Sequence, residues 1–308
     1  MKGQSLKEKL CNEILPLVNK PGRYLGNEYN VIVKDHSRVE LKIALAFPDV
    51  YDLGMSHLGL KIFYEILNAH SNSVAERAFA PWVDMEQFMR DENIPLYSLE
   101  TYTPIKDFDI FAVSLQHELC FTTVLNMLDL AGIAVWSDKR EENDPIIVAG
   151  GHATYNPEPM SPFIDVFLMG DGEDAIFEIS DCILKGKKAG LKRKEILHQL
   201  AKITGIYVPS LFTVDYTEEG YIKEIKPIVS DIPKRVLRRV ADLEEAFYPT
   251  RQLVPYVELA HDRIAMEIQR GCTRGCRFCQ AGYITRPRRE RSIRTLMKHA
   301  TEGIKNTG

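Results

Sequence analysis

Strand-like and helix-like segments alternate from about residue 39 to 190, and this alternation is the strongest constraint on the fold. Apolar residues alternate between positions 39 and 45, which indicates a first strand, and recur at helical spacing between 58 and 67. Later strands are predicted at 75–79, 109–114, 146–149 and 166–169, and later helices at 83–90, 121–130 and 175–184. Strands separated by amphipathic helices form βαβ units. We therefore expect an α/β fold with a mostly parallel sheet of the Rossmann or flavodoxin type.

Two glycine-bearing loops follow the fourth and fifth predicted strands. Ligands bind such sheets at the carboxyl ends of the strands, where glycine lets the backbone come close. The sequence therefore predicts a ligand-binding edge at Gly150, Gly151, His152, Gly170 and Gly172. The alternative is that the glycines only permit turns with positive φ, and that His152 bonds local backbone.

The regions on either side of residues 39–190 carry weaker patterns. Residues 1–38 form a lead segment, and 191–260 predict a helix, a hairpin and a proline-rich linker with little chemistry of its own. The hairpin is expected from β-branched and aromatic runs at 206–208, 211–215 and 221–228, with a turn at 218–220. The basic stretch 185–194 is expected to be a solvated loop that leads into the helix.

Three cysteines, Cys272, Cys276 and Cys279, follow the spacing C-x3-C-x2-C in a segment rich in glycine and arginine. Thiolates clustered in this way hold iron–sulfur clusters, and three of them leave one iron of a cubic cluster open. Zinc fits less well, since structural zinc sites take four ligands, usually in two pairs. Neither His261 nor His299 is spaced as such a partner.

The three remaining cysteines, Cys11, Cys120 and Cys182, are isolated in the sequence. Isolated thiols in a reducing compartment behave as small apolar side chains, so we predict that they fill space in the core.

The cysteine spacing, with Phe278 before the last cysteine, resembles the signature of the radical S-adenosylmethionine (SAM) superfamily. The resemblance implies that the three cysteines bind a 4Fe-4S cluster and that Phe278 packs beside the adenine of SAM. It also implies reductive cleavage of SAM to a 5′-deoxyadenosyl radical, with the electron coming from a donor such as flavodoxin or ferredoxin. In such enzymes the cofactor carries the chemistry and the protein orients it.

Short sequence segments along most of the chain resemble those of bacterial radical SAM proteins that carry an N-terminal cobalamin-binding-like domain. The reaction of these proteins is unassigned. The segments occur at 19–24, 47–51, 150–154 and 170–173. The resemblance makes residues 39–190 the cobalamin-binding-like domain but leaves cobalamin binding open. The usual cobalt-binding motif is Asp-x-His-x-x-Gly. The sequence around His57 lacks the aspartate and has its glycine one position too early, so we predict that His57 is not a cobalt ligand.

The segment 261–308 resembles the start of a radical SAM domain. A strand at 263–268, the cysteine loop and a helix at 295–304 would form the first βα unit of a TIM-type barrel. Such a barrel needs six or more units, and one strand cannot close it. We therefore expect a fragment of a longer product, one that holds its cluster weakly and does not cleave SAM unless another chain supplies the rest.

Arginines are concentrated after the last cysteine, with five in the nine positions 286–294. Arginine forks suit carboxylate or phosphate, so the patch is predicted to bind a phosphorylated substrate, an RNA backbone or the carboxylate of SAM through Arg286, Arg288, Arg289 and Arg291. The alternative is that these arginines are solvated and paired with acids. The prediction of RNA has no other support in the sequence.

Composition is that of an ordinary globular chain, with 45% hydrophobic and 27% charged residues and a net charge of −4. No run of about 18 apolar residues and no signal-peptide pattern occurs, so we expect a cytoplasmic location and no membrane partner. Two function classes remain. One is a radical SAM enzyme, with methyl or methylthio transfer and RNA modification open. The other is a non-catalytic corrinoid-binding, nucleotide-binding or electron-transfer module.

Overall fold

A parallel sheet forms the centre of the computed structural model, which describes residues 5–261 and 263–307. Predictions that touch residues 1–4, Asp262 and Gly308 lie outside these described residues. The strands, in the spatial order β2-β1-β3-β4-β5-β6, are β1 Leu41–Phe47, β2 Ser73–Phe79, β3 Ile110–Ser114, β4 Ile146–Gly150, β5 Val166–Leu168 and β6 Ile206–Tyr207. The first five pair in parallel, and β6 pairs antiparallel to β5. The expected α/β fold with a mostly parallel sheet is confirmed.

Helices connect the strands and continue after them. They are α1 Leu6–Lys9, α2 Tyr51–Gly54, α3 Leu58–Asn68, α4 Val83–Asp91, α5 Phe121–Leu130, α6 Ala175–Lys188, α7 Arg193–Leu200, α8 Ala281–Ile284 and α9 Ile293–Thr307. The central strands are apolar on both faces, and Phe111 and Phe167 are fully buried. None of the helices in the described part of the chain is long and apolar enough to cross a membrane.

The basic stretch at 185–188 belongs to α6, so the prediction of a solvated loop there is wrong. Lys185, Lys187 and Lys188 lie in the last turn of the helix, where positive charge is favourable beside the free carbonyl groups. The helix ends before Gly190, which has a φ of +69°.

The predicted hairpin forms, but with fewer strands than expected. It consists of β7 Phe212–Tyr216 and β8 Ile222–Pro227, which pair antiparallel. Ile206 and Tyr207 were grouped with it wrongly, because they pair with β5 at the edge of the main sheet.

The predicted strand at 263–268 is not formed. Only two residues beyond it pair, as β9 Gln269–Arg270 against β10 Arg289–Glu290. A strand needs a ladder of backbone bonds to a neighbouring strand. Residues 264–268 instead bond scattered groups, since the Tyr248 hydroxyl donates to the Ala265 carbonyl and the Arg291 N–H donates to the Ile268 carbonyl. The predicted helix at 295–304 is present as the longer α9.

Strand β2 lies at the edge of the sheet, yet all seven of its residues are buried. Its outward backbone groups are bonded by other elements: Asn68 bonds the N–H and C=O of Ala75, the Arg77 N–H donates to Glu100, and the Leu99 N–H donates to the Arg77 carbonyl. The lead segment supplies Glu28, which pairs with the fully buried Arg77 guanidinium. Burial raises the pKa of Glu100 to about 7, against the opposing effect of Arg77.

Candidate functional site

A cavity of about 400 Å³ lies at the carboxyl ends of the sheet strands, lined by residues of β1, β3, β4 and β5 and of the loops that follow them. The strand order reverses between β1 and β3, and doubly wound sheets bind ligands at such a point. The structure brings together in its wall the five residues predicted for this edge, Gly150, Gly151, His152, Gly170 and Gly172.

The glycines of this edge serve different purposes. Gly151 and Gly170 have φ values of +116° and +103°. A Cβ on Gly151 would lie 2.4 Å from the Leu115 carbonyl oxygen, and one on Gly170 would lie 2.2 Å from that of Arg239. These two glycines are therefore required by the backbone itself. A Cβ on Gly150 would meet no atom within 4 Å, so this glycine keeps space open.

His57 lines the cavity and begins α3. Its Nδ1 accepts a hydrogen bond from the Leu60 N–H at 3.2 Å, so in the neutral ring the proton must lie on Nε2. Burial lowers the pKa of His57 to about 4, opposed by a hydrogen bond with Gln116 and reinforced by His152. The ring is thus neutral at pH 7 and presents a hydrogen-bond donor.

The lining of the cavity has apolar and charged parts. Burial and the nearby Arg270 lower the pKa of His152, so its ring also favours the neutral form. Strand residues and α3 contribute mainly aliphatic side chains to the lining. One part of the lining is charged, and we call this part the mouth: Arg270 contacts Asp171, Glu173 and Glu267 there, and Arg238 also lines the cavity. Such a site accommodates an uncharged group against its aliphatic part and polar or charged groups against its charged part.

Arg270 joins the mouth to the segment that carries the cysteines. Its guanidinium lies 2.9 Å from Asp171 Oδ1, 2.6 Å from Glu173 Oε1 and 2.9 Å from Glu267 Oε1. Burial lowers the pKa of Arg270, but the hydrogen bonds and charges of Glu267 and Glu173 outweigh it and raise the pKa above its ordinary value. Because Arg270 precedes Gly271 and Cys272, the cysteine loop starts at the mouth of the cavity.

The cysteine loop turns tightly at its two glycines. Gly271 has a φ of +86°, and a Cβ there would lie 2.6 Å from the carbonyl oxygens of Thr285 and Pro287. All three cysteines are free thiols, with Cys276 exposed and the other two partly exposed. The Arg274 N–H donates to Cys272 Sγ at 3.4 Å.

The donor chemistry of this loop suits an iron–sulfur cluster. Within residues 5–261 and 263–307, no group of three His, Cys, Asp or Glu side chains is gathered round a point that could hold one metal ion. A cubic cluster is wider than one ion, so thiols that ligate it stand further apart than ligands of a single metal. Backbone N–H groups that bond the sulfurs tune such clusters, and the Arg274 N–H, which donates to Cys272 Sγ, would supply one such bond. Phe278, predicted to pack beside adenine, is 92% exposed.

The four arginines predicted to bind phosphate have different surroundings in the structure. Arg291 is buried and donates to the Ala246 carbonyl, and Arg289 bonds Asp171. The other two make local contacts: Arg286 stacks over Tyr283, and Arg288 pairs with Glu290. Phosphate binding by these residues stays a prediction.

Several cavity residues were missed by sequence reasoning, among them Gln116, Arg238, Glu267, Arg270 and Thr285. The acids of the Gly170–Glu173 phrase were visible, since they alternate with the two predicted glycines, but only the glycines were assigned to the site. The others are far from this phrase in sequence and carried no local signal.

Comparisons with known proteins agree with the cysteine signature. Residues 59–209 match the family described as "Radical SAM proteins, N-terminal", which supports a place for this chain among radical SAM proteins. The uncharacterized protein MJ0966 of Methanocaldococcus jannaschii is 27% identical over 268 residues, which cover 85% of this chain and 46% of the relative. The chain thus spans about half the length of the curated relative it matches.

A solved structure also resembles the chain weakly. It is the radical SAM methyltransferase TsrM from Kitasatospora setae, with tryptophan substrate and the SAM analog aza-SAM bound. The TM-score is 0.43 at 12% identity, covering 84% of this chain and 44% of the other.

Proposed function

We propose that this chain is the cofactor-binding part of a radical SAM enzyme. Cys272, Cys276 and Cys279 would ligate a 4Fe-4S cluster whose open iron binds SAM. The observation that carries the proposal is the position of the cysteine loop, which begins at Arg270 on the mouth of the sheet cavity. The cluster site on the cysteine loop would then lie next to the sheet cavity.

When bound, the cluster would supply one electron for the reductive cleavage of SAM, drawn from a flavodoxin or ferredoxin. The chain's own part is to bind and orient. The Arg274 N–H bonds the Cys272 sulfur, and Gly271, which has a positive φ and no Cβ, lets the loop pack closely against the carbonyl groups of Thr285 and Pro287. The exposed ring of Phe278 is free to pack against adenine.

The sheet cavity fits one part of a cobalamin. Its volume of about 400 Å³ lies in the range of small-molecule sites and would enclose an uncharged portion, leaving the remainder at the charged mouth. His57 would not ligate cobalt, because its Nδ1 accepts from the Leu60 N–H and the proton of the neutral ring therefore occupies Nε2. This agrees with the incomplete cobalt-binding motif around it.

Anaerobic reconstitution with iron and sulfide, followed by electron paramagnetic resonance with and without SAM, tests the cluster. The wild-type chain should take up about four irons, as a 4Fe-4S cluster requires, and SAM should change the spectrum. Cys276→Ser should lose the signal, whereas Cys182→Ser, on the half-buried thiol of α6, should keep it. A cluster spectrum that ignores SAM would favour an electron-transfer or sensing module instead.

Titration of the full chain with hydroxocobalamin tests the cavity. We expect corrinoid absorbance to co-elute with the protein, and Gly150→Val to reduce binding because it fills open space. Thr213→Val, a substitution on the exposed hairpin that leaves the cavity lining unchanged, should have no effect. If corrinoid separates completely from the wild-type chain, cobalamin is excluded as a ligand of the cavity, and the cluster proposal is unaffected.

A further inference from the structure

Two arginines lie side by side at the base of the cysteine loop. Strands β9 and β10 enclose residues 271–288, and their register places Arg270 directly opposite Arg289. Like charges at opposite positions of an antiparallel pair repel one another. The base of this loop therefore needs a neighbouring negative charge to stay closed.

Asp171 supplies that charge from the loop after β5. Its Oδ1 lies 2.9 Å from Arg270 Nη1, and its Oδ2 accepts from Arg289 Nη1. The same Oδ2 accepts from the Ala241 N–H at 2.8 Å. The Asp171 side chain is only 11% exposed. Both oxygens are thus engaged inside the protein.

Glu173 strengthens the arrangement, since it accepts from Arg270 at 2.6 Å. The ionised state of Asp171 is also favoured. Burial raises the pKa of Asp171, but the charge of Arg270 and the hydrogen bonds outweigh it and leave the pKa below its ordinary value.

We propose that Asp171 is the positioning residue of the cysteine loop, holding Arg270 and Arg289 together so that the loop is fixed at the cavity mouth. In the Gly170–Glu173 motif the glycines shape the backbone, while the acids anchor another segment. Asp171 also lines the cavity, so a ligand there contacts the anchor of the cysteine loop directly. The anchoring follows from the contacts alone, whereas its consequence for a cluster rests on the proposed function.

Hydrogen–deuterium exchange of the full chain without cofactors tests the anchoring. Asp171→Asn should speed exchange of amides in 271–288 by about tenfold, because hydrogen bonds to a charged group are lost and two arginines remain opposed. Asp171→Glu should restore part of the protection. Asp181→Asn, which removes an exposed acid paired with Lys185 on α6, is the matched control and should leave the loop unchanged.

Amides of β1 and β3 report whether the variants stay folded. If Asp171→Asn does not fold, Arg289→Gln provides the second variant, with a smaller expected increase of about threefold because Arg270 still bonds Asp171. An increase of less than about twofold in the folded variant would overturn the anchoring, since the lost contacts predict about tenfold.

A second readout connects the anchor to the cluster. In reconstituted protein, Asp171→Asn should lose iron to a chelator about tenfold faster than wild type, as the exchange rates predict, and Asp181→Asn should not. Equal iron loss in folded Asp171→Asn and wild type would overturn the link to the cluster. If the wild-type chain takes up no cluster, the proposed function fails, but the exchange result still decides the anchoring.

Discussion

Arg77→Met should destabilise the chain strongly, because the guanidinium neutralises two buried carboxylates. Its Nη2 lies 2.7 Å from Glu28 Oε2 and its Nε lies 2.6 Å from Glu100 Oε1, with all three side chains almost inaccessible to water. Removing one partner of a buried ion pair costs about 3–5 kcal/mol. Glu100 can take up a proton near neutral pH, and Glu28 keeps the Tyr51 hydroxyl at 2.7 Å, so we expect about 3 kcal/mol at pH 7.

Denaturant unfolding followed by circular dichroism measures this loss. Arg90→Met is the control, since Arg90 also contacts two carboxylates but is 42% exposed, and it should cost at most about 1 kcal/mol. Unpaired buried carboxylates have raised pKa values, and such groups stabilise the fold at low pH and lose that effect as pH rises. The difference in free energy of unfolding between Arg77→Met and wild type should therefore be smaller at pH 5 than at pH 7. If Arg77→Met costs no more than Arg90→Met at pH 7, the reasoning is refuted.

Three further predictions concern single contacts. His57→Asn keeps a good helix cap and removes an imidazole whose pKa is lowered by burial to about 4. Because His57 in the unfolded chain binds a proton first as pH falls below 6.5, the free energy of unfolding of wild type should fall by about 2 kcal/mol between pH 7 and 5, and that of the variant should not. An equal fall in both proteins would contradict this. Gly170→Ala places a Cβ against the Arg239 carbonyl and should cost about 1–3 kcal/mol more than Gly190→Ala, which meets no atom; equal melting temperatures would exclude the clash. Glu244→Gln should speed amide exchange in the first turn of α9, because its carboxylate bonds three groups there, and unchanged exchange would show that the cap is dispensable.

The central sheet could be predicted because its strands are short apolar runs that need no knowledge of their neighbours. Phe111 and Ile147 are fully buried residues of the central strands, and the apolar sequences of these strands already indicate burial on both faces. The apolar run at 263–268 looks similar, but it is not a strand, because no strand of the described chain pairs with it. Pairing is a property of the tertiary fold, which a local pattern does not contain.

The candidate site was predictable only in part. Glycines at the ends of strands mark a binding edge, and cysteine spacing marks a cluster loop. The contact that joins them, between Asp171 and Arg270, links distant parts of the chain and has no local pattern. Charge clustering likewise identified the arginine patch but could not show that Arg291 is only 4% exposed and bonds backbone carbonyls.

The closed outer edge of β2 limits how this protein can associate. An open strand edge invites β-augmentation by another chain, and here Asn68, Leu99 and Glu100 occupy the backbone groups that such a strand would use. A shortened protein that began at residue 39 would also lose Glu28 and leave Arg77 with one carboxylate fewer. Excision of the α/β unit for binding studies should therefore begin before Glu28, so that the sheet keeps its protected edge.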